Sequence, residues 1–401
     1  MSALRVALGV VAGVTGGPAT YGVALARALG ELVDRTSPDP VGAGGEAADA
    51  VEVTVLTDRP DAFDGASGLR IVRVPLSSSW QQPWWDNVGV PRALARLGAD
   101  VYHGTKHALP LVGLPRATAA VVTVHDLAVL SEPATFALPQ RLQLAVHLHH
   151  AARRADRIVC DSEHAAGDVA MRLGVAPSRI AVVPLGVSRA FRPPRDEAAR
   201  RAARAALGVA DGGPLASFVG TAQPRKHVEV AIEAIAALRA RGLDATLAIA
   251  GRRRPGYEPA WLVAPPPWVR LLGEVPAERL VELYGASDVM VSPSTYEGFG
   301  LTFAEAMACG CPVVGVAATS VPEVVRGGGL LVERAEAALV ADAIERLLRD
   351  PDLRARTVVA ALARAAELTW ERAAESTLAV QRAAARAAAA RNAGARAGGA
   401  R

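Results

Sequence analysis

A chain of 401 residues, 51% of them apolar and only 4% aromatic, is too long for one ordinary core and has material for roughly two or three domains. Its net charge of +4 suits anionic ligands without demanding nucleic acid, and nothing in it interleaves aromatic and basic residues as base-stacking surfaces do. Its most apolar runs fall far short of the ~20 residues a membrane span needs and no signal-peptide pattern opens it, so a cytoplasmic protein is expected.

Short β-type runs alternate with helical stretches along the first half. Strands are expected at Arg5–Val11, Val51–Thr57, Leu69–Val74, Val101–His103, Ala119–His125, Arg157–Asp161 and Ile180–Pro184. Helical patterns lie between them at Thr20–Leu32, Val90–Leu97, Leu138–Ala155 and Ser162–Leu173. Strands apolar almost throughout imply burial on both faces, the pattern of a parallel sheet covered by helices. The turn after the first strand, Gly13 to Gly22, is glycine-rich and contains Gly16 and Gly17. It lacks G-x-G-x-x-G spacing, so it reads as a loop over a sugar or acceptor, or as a merely tight turn. Trp80, Trp84 and Trp85 occupy a loop-rich stretch and are expected to pack first, with an acceptor platform as the second reading. His125, at the carboxyl end of the fifth strand, projects toward the ligand side, where it could hydrogen-bond a phosphate or a sugar hydroxyl. Asp126 could orient that ring or act on an acceptor; a satisfied strand-end histidine fits equally well. His147 and His150 share a helix face that reads as solvated rather than metal-binding.

The pattern breaks at the proline-rich Phe191–Arg195, followed by a charged helical connector, Glu197–Leu207. A second series then offers strands Leu215–Gly220, Ala245–Gly251, Val269–Glu274, Asp288–Ser294, Pro312–Ala317 and Gly329–Glu333. Helices are expected at Val228–Arg239, Ala277–Ala286, Phe303–Cys309 and Ala335–Leu348. Two doubly wound domains follow, with ligands beyond the carboxyl ends of the strands and the cleft between domains as the expected site. Cys160, Cys309 and Cys311 have neither disulfide nor zinc spacing and read as small buried fillers.

Two segments of the second half carry chemistry. Ser294–Glu305 follows a strand and opens a helix, so Gly298 and Gly300 let the backbone approach a ligand while the helix start favours an anion. Glu305, about one turn in, leans back toward that start within reach of a ribose hydroxyl pair. Glu297 approaches from the other end of the ligand; two surface glutamates at a strand–turn–helix junction are the alternative. In Phe218–His227, Arg225 and Lys226 stand just before a helix N-terminus, where cations oppose the dipole and an external anion would relieve the conflict. Fixed cations there can neutralise a departing diphosphate without metal, although a solvated basic turn fits the local sequence as well.

Together these residues resemble the retaining glycosyltransferases of family 4, which have the GT-B fold. Glu297 and Glu305 match the E-x7-E pattern within Tyr-Glu-Gly-Phe-Gly-Leu and the Glu-Ala-Met-Ala-Cys-Gly-Cys-Pro-Val-Val that follows. Val219-Gly220-Thr221 with Pro224-Arg225-Lys226 is similar to the family's phosphate-binding segment. Val124–Leu127, Pro184–Val187 and Val321–Val324 agree as well. The resemblance implies an α/β protein with two doubly wound Rossmann-like domains facing across a cleft. Residues 1–195 would form the acceptor-side domain and 196–372 the nucleotide-sugar domain. Residues 373–390 would be a helix returning to the first domain, and 391–401 a disordered Ala/Arg/Gly tail.

The resemblance further implies transfer of a hexosyl group from a nucleoside-diphosphate sugar, GDP-mannose or a UDP-sugar, with the anomeric configuration kept. The acceptor would be a glycan, a lipid or a small molecule, with no essential metal and no other cofactor. Arg225 and Lys226 would bind the diphosphate beside Gly220, and Glu305 the ribose. Glu297 and the amides of Gly298, Phe299, Gly300 and Leu301 would hold the donor sugar, and His125 would support sugar or phosphate near the reacting carbon. His125, Glu297, Arg225 and Lys226 are thus the catalytic candidates. Gly16 and Gly17 would line the cleft from the first domain, with Asp126, Trp84 and Trp85 on the acceptor side. A sugar-nucleotide epimerase or hydrolase on the same scaffold and an inactive sugar-nucleotide-binding subunit are the alternatives. Peripheral contact with the inner membrane face through basic first-domain helices is compatible with this picture.

Overall fold

The computed structural model describes residues 3–12, 17–36, 50–76, 81–209 and 213–398. The chain divides into two compact units, Met1–Gly186 with Trp370–Arg401, and Val187–Thr369. All thirteen expected strands form, each within two residues of its expected ends.

In the first unit these are β1 (Leu4–Val10), β2 (Val51–Thr57), β3 (Leu69–Arg73), β4 (Val101–Gly104), β5 (Ala119–Val124), β6 (Arg157–Cys160) and β7 (Ile180–Val182). They make one parallel sheet in the order β3-β2-β1-β4-β5-β6-β7. Register sets Gly9 level with Gly104, Gly104 with Val122, and Val124 with Cys160, so the residues just past these strands share one edge. β5 is buried at every position, as expected for a strand covered on both faces. The core beside it is built from Leu56, Trp85, Leu94, Tyr102, Leu148 and Ile158. Burying each such side chain contributes roughly 1.5–3 kcal/mol relative to leaving it in water.

The second unit contains β8 (Leu215–Val219), β9 (Thr246–Ala250), β10 (Val269–Gly273), β11 (Val289–Ser292), β12 (Val313–Val316) and β13 (Gly329–Val332). Their parallel order is β10-β9-β8-β11-β12-β13. The order reverses beside β8, between β9 and β11, which is where open α/β sheets bind ligands. Phe218, Ile235, Leu247, Val291 and Ile344 fill the core. Cys160, Cys309 and Cys311 are free and buried.

The unit boundaries differ from those expected. The first unit ends at Gly186, not at residue 195, because the proline-rich segment packs on the second unit. Phe191 lies 6.1 Å from the Tyr284 ring, while Pro193 and Pro194 lie against Gly310 and Gly285. The chain crosses back between Thr369 and Trp370, where the Val187 N–H donates to the Leu368 carbonyl at 2.9 Å. The helix Trp370–Gly398 then packs on the helix Gly17–Thr36 and against β4, β5 and β6. It stays helical through Gly398, past residue 391 where a disordered tail was expected. Alanine and arginine are strong helix formers, and Arg391 pairs with Asp156 at 2.7 Å. Among the described residues, no helix is long and apolar enough to cross a membrane.

Candidate functional site

β8 delivers Gly220, whose φ of 154° a side chain rarely tolerates. Gly251, just past β9, comes so close that a Cβ there would lie 2.0 Å from the Gly220 carbonyl oxygen. Beyond Gly220, a single 3-10 turn, Pro224–Lys226, presents both cations and ends at His227, in the left-handed region with φ 46°. The turn is clasped to the segment after β11. The Arg225 carbonyl accepts from the Thr295 N–H and the Ser294 hydroxyl, both at 3.3 Å, and the Arg225 guanidinium donates to the Tyr296 carbonyl.

These constraints bring Arg225, Lys226 and Glu297 together. Lys226 Nζ donates to Glu297 Oε1, and Arg225 Nη1 lies 3.8 Å from Glu297 Oε2. Glu297 is 7% exposed and Lys226 9%, so the pair is largely removed from water. Burial alone would raise the Glu297 carboxyl. Lys226 and Arg225, with hydrogen bonds from Lys226 and Ser294, outweigh it and hold the group below the usual carboxylate value. The loop is also braced from the turn after β12. Thr319 Oγ1 accepts from the Glu297 N–H at 3.0 Å, and Ser320 Oγ reaches the carbonyls of Glu297 and Phe299 at 3.0 and 2.9 Å. Thr319 is β-branched yet holds φ 51°, a strain of about 1–3 kcal/mol that persists where surrounding contacts over-determine it.

Gly300, at φ 88°, caps the helix Leu301–Ala308, whose first amides lack partners within the helix itself. One turn in, Glu305 meets the hydroxyl of the fully buried Tyr284, which donates to Oε2 at 3.3 Å. Burial pushes the Glu305 carboxyl up to about 8 against that single contact, so it is mostly protonated at neutral pH. Next to Gly220, past the ends of β8, β9 and β10, lies a cavity of about 250 Å³. Gly251, Trp261, Leu262, Leu271 and Arg252 are among its walls, and Arg252 is paired with Glu274 at 2.7 Å.

In the first unit His125 follows β5 and is buried. Its Nδ1 lies 2.6 Å from Asp161 Oδ2, and its Nε2 donates to the Thr105 carbonyl at 3.0 Å. Burial works against the charged ring, but Asp161 and the Thr105 carbonyl outweigh it and raise the His125 pKa above the usual histidine value. A ligand contact from either nitrogen would require one of these bonds to open. Asp161, not Asp126, therefore orients the ring. Asp126 faces the next turn, where its Oδ1 accepts from the Ala128 N–H at 2.9 Å.

Trp85 is not a platform: it is 2% exposed and its indole N–H donates to the Val74 carbonyl at 3.0 Å. Trp84, 47% exposed, remains at the surface. His147 is buried, contrary to a solvated face, and His150 Nε2 bonds the Pro110 carbonyl at 2.9 Å. Gly17 is the first residue of its helix, whereas Gly16 and Trp80 lie outside the described residues. Among the described residues, no group of three or more His, Cys, Asp or Glu side chains is placed to hold a metal ion. Asp161, Tyr284, Thr319 and Ser320 were missed from the sequence. Each is a polar or aromatic residue at a strand, helix or turn end whose partner is remote in the chain.

Comparison with known proteins adds the following. Residues 45–191 match the family model "Glycosyltransferase Family 4", and residues 199–364 match "Glycosyl transferases group 1". The chain is 35% identical over 272 residues to a D-inositol 3-phosphate glycosyltransferase from Nocardia farcinica, covering 64% of this chain and 60% of that one. It is 30% identical to the O-antigen chain mannosyltransferase B of Escherichia coli, covering 69% and 73%. A D-inositol 3-phosphate glycosyltransferase from Actinosynnema mirum is 33% identical, with 73% and 75% covered. Against three of the inositol-phosphate relatives the chain spans only 53–60% of their length. Among solved structures, Anabaena Alr3699/HepE in complex with UDP and glucose superposes with a TM-score of 0.70 at 20% identity, covering 94% and 99% of the two chains. WaaG, a glycosyltransferase involved in lipopolysaccharide biosynthesis, gives 0.69 at 18%, covering 93% and 99%.

Proposed function

This chain belongs to the family 4, group 1 glycosyltransferases and has the GT-B fold, and on that premise we propose that it is a retaining hexosyltransferase using a nucleoside-diphosphate sugar. The observation that carries the proposal is the buried cluster of Arg225, Lys226 and Glu297 at the carboxyl ends of β8 and β11. Two cations share one carboxylate, so the cluster keeps an excess positive charge that a diphosphate can neutralise. In the resting protein Lys226 is held by Glu297. A bound diphosphate takes the cations and frees the carboxylate oxygens to accept from hydroxyls of the donor sugar. The base occupies the cavity beside Gly220, the ribose lies against Glu305, and the first amides of the helix Leu301–Ala308 face the sugar and phosphates.

In the reaction the acceptor oxygen bonds to the anomeric carbon on the face from which the diphosphate departs, as that carbon's bond to the diphosphate oxygen breaks and the acceptor's hydroxyl proton passes to the departing oxygen. The nucleoside diphosphate leaves with charge that Arg225 and Lys226 already face, so no reorganisation is needed at that moment. His125 serves as a fixed polar group rather than as a base, because both of its nitrogens are engaged. GDP-mannose and UDP-hexoses are the donors proposed, on the strength of the mannosyltransferase relative and the UDP-glucose complex of Alr3699/HepE. A phosphorylated polyol or a growing glycan is the acceptor class that the relatives' names support. The test is a thermal-shift screen with UDP, GDP and ADP, followed by NMR of the sugar transferred from any donor that is turned over. Stabilisation by one nucleoside diphosphate and a product of unchanged anomeric configuration are expected. An inverted product, or a sugar nucleotide converted to its epimer without release of nucleoside diphosphate, would sink the proposal.

A further inference from the structure

A buried chain of polar groups runs across the carboxyl edge of the first unit's sheet. Thr105 Oγ1 donates to the Gly9 carbonyl at 2.7 Å, the Thr105 carbonyl accepts from His125 Nε2 at 3.0 Å, and His125 Nδ1 meets Asp161 Oδ2 at 2.6 Å. The ends of four neighbouring strands, β1, β4, β5 and β6, are thereby joined side by side. The Thr105 carbonyl can only accept, so Nε2 carries a proton. If Nδ1 and Asp161 had none between them, two lone pairs would face each other at 2.6 Å. Geometry therefore requires two protons on the His125–Asp161 pair.

The turn this latch restrains is a strained one. His107 sits at φ 48°, with its N–H on the Thr123 carbonyl at 2.9 Å, and its ring stands edge-on to His125 at 5.1 Å. Of the other titratable groups around His125, the Asp126 carboxylate also favours the charged ring, but less than Asp161 does. Tyr21, from the helix Gly17–Thr36, stands edge-on at 4.7 Å and is kept neutral by burial. Burial also holds His103 on β4 and His107 near 3, so both stay neutral, and it lowers the Lys106 pKa beside them. Asp126, the adjacent carboxylate, bonds the Ala128 N–H. Asp161 is the main counter-charge.

We propose that Asp161 is a positioning residue: it keeps His125 protonated on both nitrogens, so that one buried imidazolium latches the Thr105–His107 turn to the sheet edge while the enzyme turns over. What that edge is used for rests on the proposed transferase activity; the protonation of the ring does not.

The test records histidine ring 15N spectra of the full chain against pH, with His125→Asn to assign the signals. In the wild type both His125 nitrogens should be protonated at pH 7. In Asp161→Asn the ring midpoint should fall by at least one pH unit, and Asp161→Glu should keep it close to the wild type. Release of nucleoside diphosphate from UDP-glucose and GDP-mannose is followed in parallel. Asp161→Asn should lower kcat at least tenfold, move the alkaline limb down by the same interval as the ring, and leave the donor KM within about twofold. A wild-type ring carrying one proton at pH 7 overturns the proposal without any variant. An unchanged midpoint in Asp161→Asn, or a turnover profile that stays put while the midpoint moves, overturns it as well. If the wild type turns over neither donor, the functional reading is lost while the ring spectra still decide the role of Asp161.

Discussion

Replacing Lys226 with alanine should separate the two roles that its pairing with Glu297 combines. Glu297 is 7% exposed, so removing its nearer cation leaves a buried carboxylate facing Arg225 at 3.8 Å. Breaking a buried pair from one side costs about 3–5 kcal/mol. At an effective dielectric of about 20, a contact at that distance still returns about 4 kcal/mol of attraction before desolvation. Lys226→Ala should therefore sit below the usual range, at about 2–3 kcal/mol by urea unfolding at pH 7. Adding Glu297→Gln removes the stranded charge and should recover most of that loss. Turnover should behave differently: Lys226→Ala loses roughly 10²–10³-fold, by analogy with other preorganised contacts to developing charge, and the second substitution restores none of it. The pH dependence has a definite sign. The folded pKa of Glu297 lies below its unfolded value, so the pair's stability is present above the unfolded value and is lost as pH falls through the folded one. Lys226→Ala should flatten that acid limb. A variant as stable as the wild type, or a double variant with restored turnover, would refute this division of roles.

Glu305 titrates in the opposite sense. Its folded pKa of about 8 lies above an unfolded value near 4.3, so the stability it contributes is full below that unfolded value and is lost as pH rises toward 8. Glu305→Gln should therefore stabilise the ligand-free protein by about 1–3 kcal/mol at pH 9 and hardly at all at pH 4, read by thermal unfolding; equal effects at both would contradict the assignment. Trp85→Ala should cost about 3–5 kcal/mol by urea unfolding and Trp84→Ala under about 1 kcal/mol, because only the first is core. Gly251→Ala, whose Cβ would meet the Gly220 carbonyl oxygen at 2.0 Å, should weaken nucleoside-diphosphate binding at least tenfold in titration calorimetry. Turnover should survive a chelator, since Arg225 and Lys226 carry the neutralisation; loss restored by magnesium or manganese would count against that role.

The fold was legible because its strands are short apolar runs separated by turn residues, and burial on both faces is written into composition. The Glu297–Glu305 loop was legible because its glycines and glutamates lie within one strand–turn–helix unit. What escaped the sequence depends on register. Asp161 meets His125 only because Val124 pairs with Cys160, and Tyr284 meets Glu305 only through packing between two helices. Thr319 and Ser320 brace Glu297 from a different strand end. The tail misled because alanine and arginine without apolar periodicity look disordered, although their helix propensity is high and an ion pair to Asp156 anchors them. Proline in Phe191–Arg195 marked a break, but which unit the segment packs on is decided by Tyr284, Gly285 and Gly310.

The most direct measurement is titration calorimetry of UDP and GDP into the wild type and into Arg225→Ala/Lys226→Ala, both checked for folding by circular dichroism, in buffer without divalent metal. Micromolar binding of one nucleoside diphosphate by the wild type, weakened at least a hundredfold in the double variant, is the expected result. Undiminished affinity in the double variant, or no binding of either nucleotide by the wild type, would contradict the claim that these two cations hold the donor.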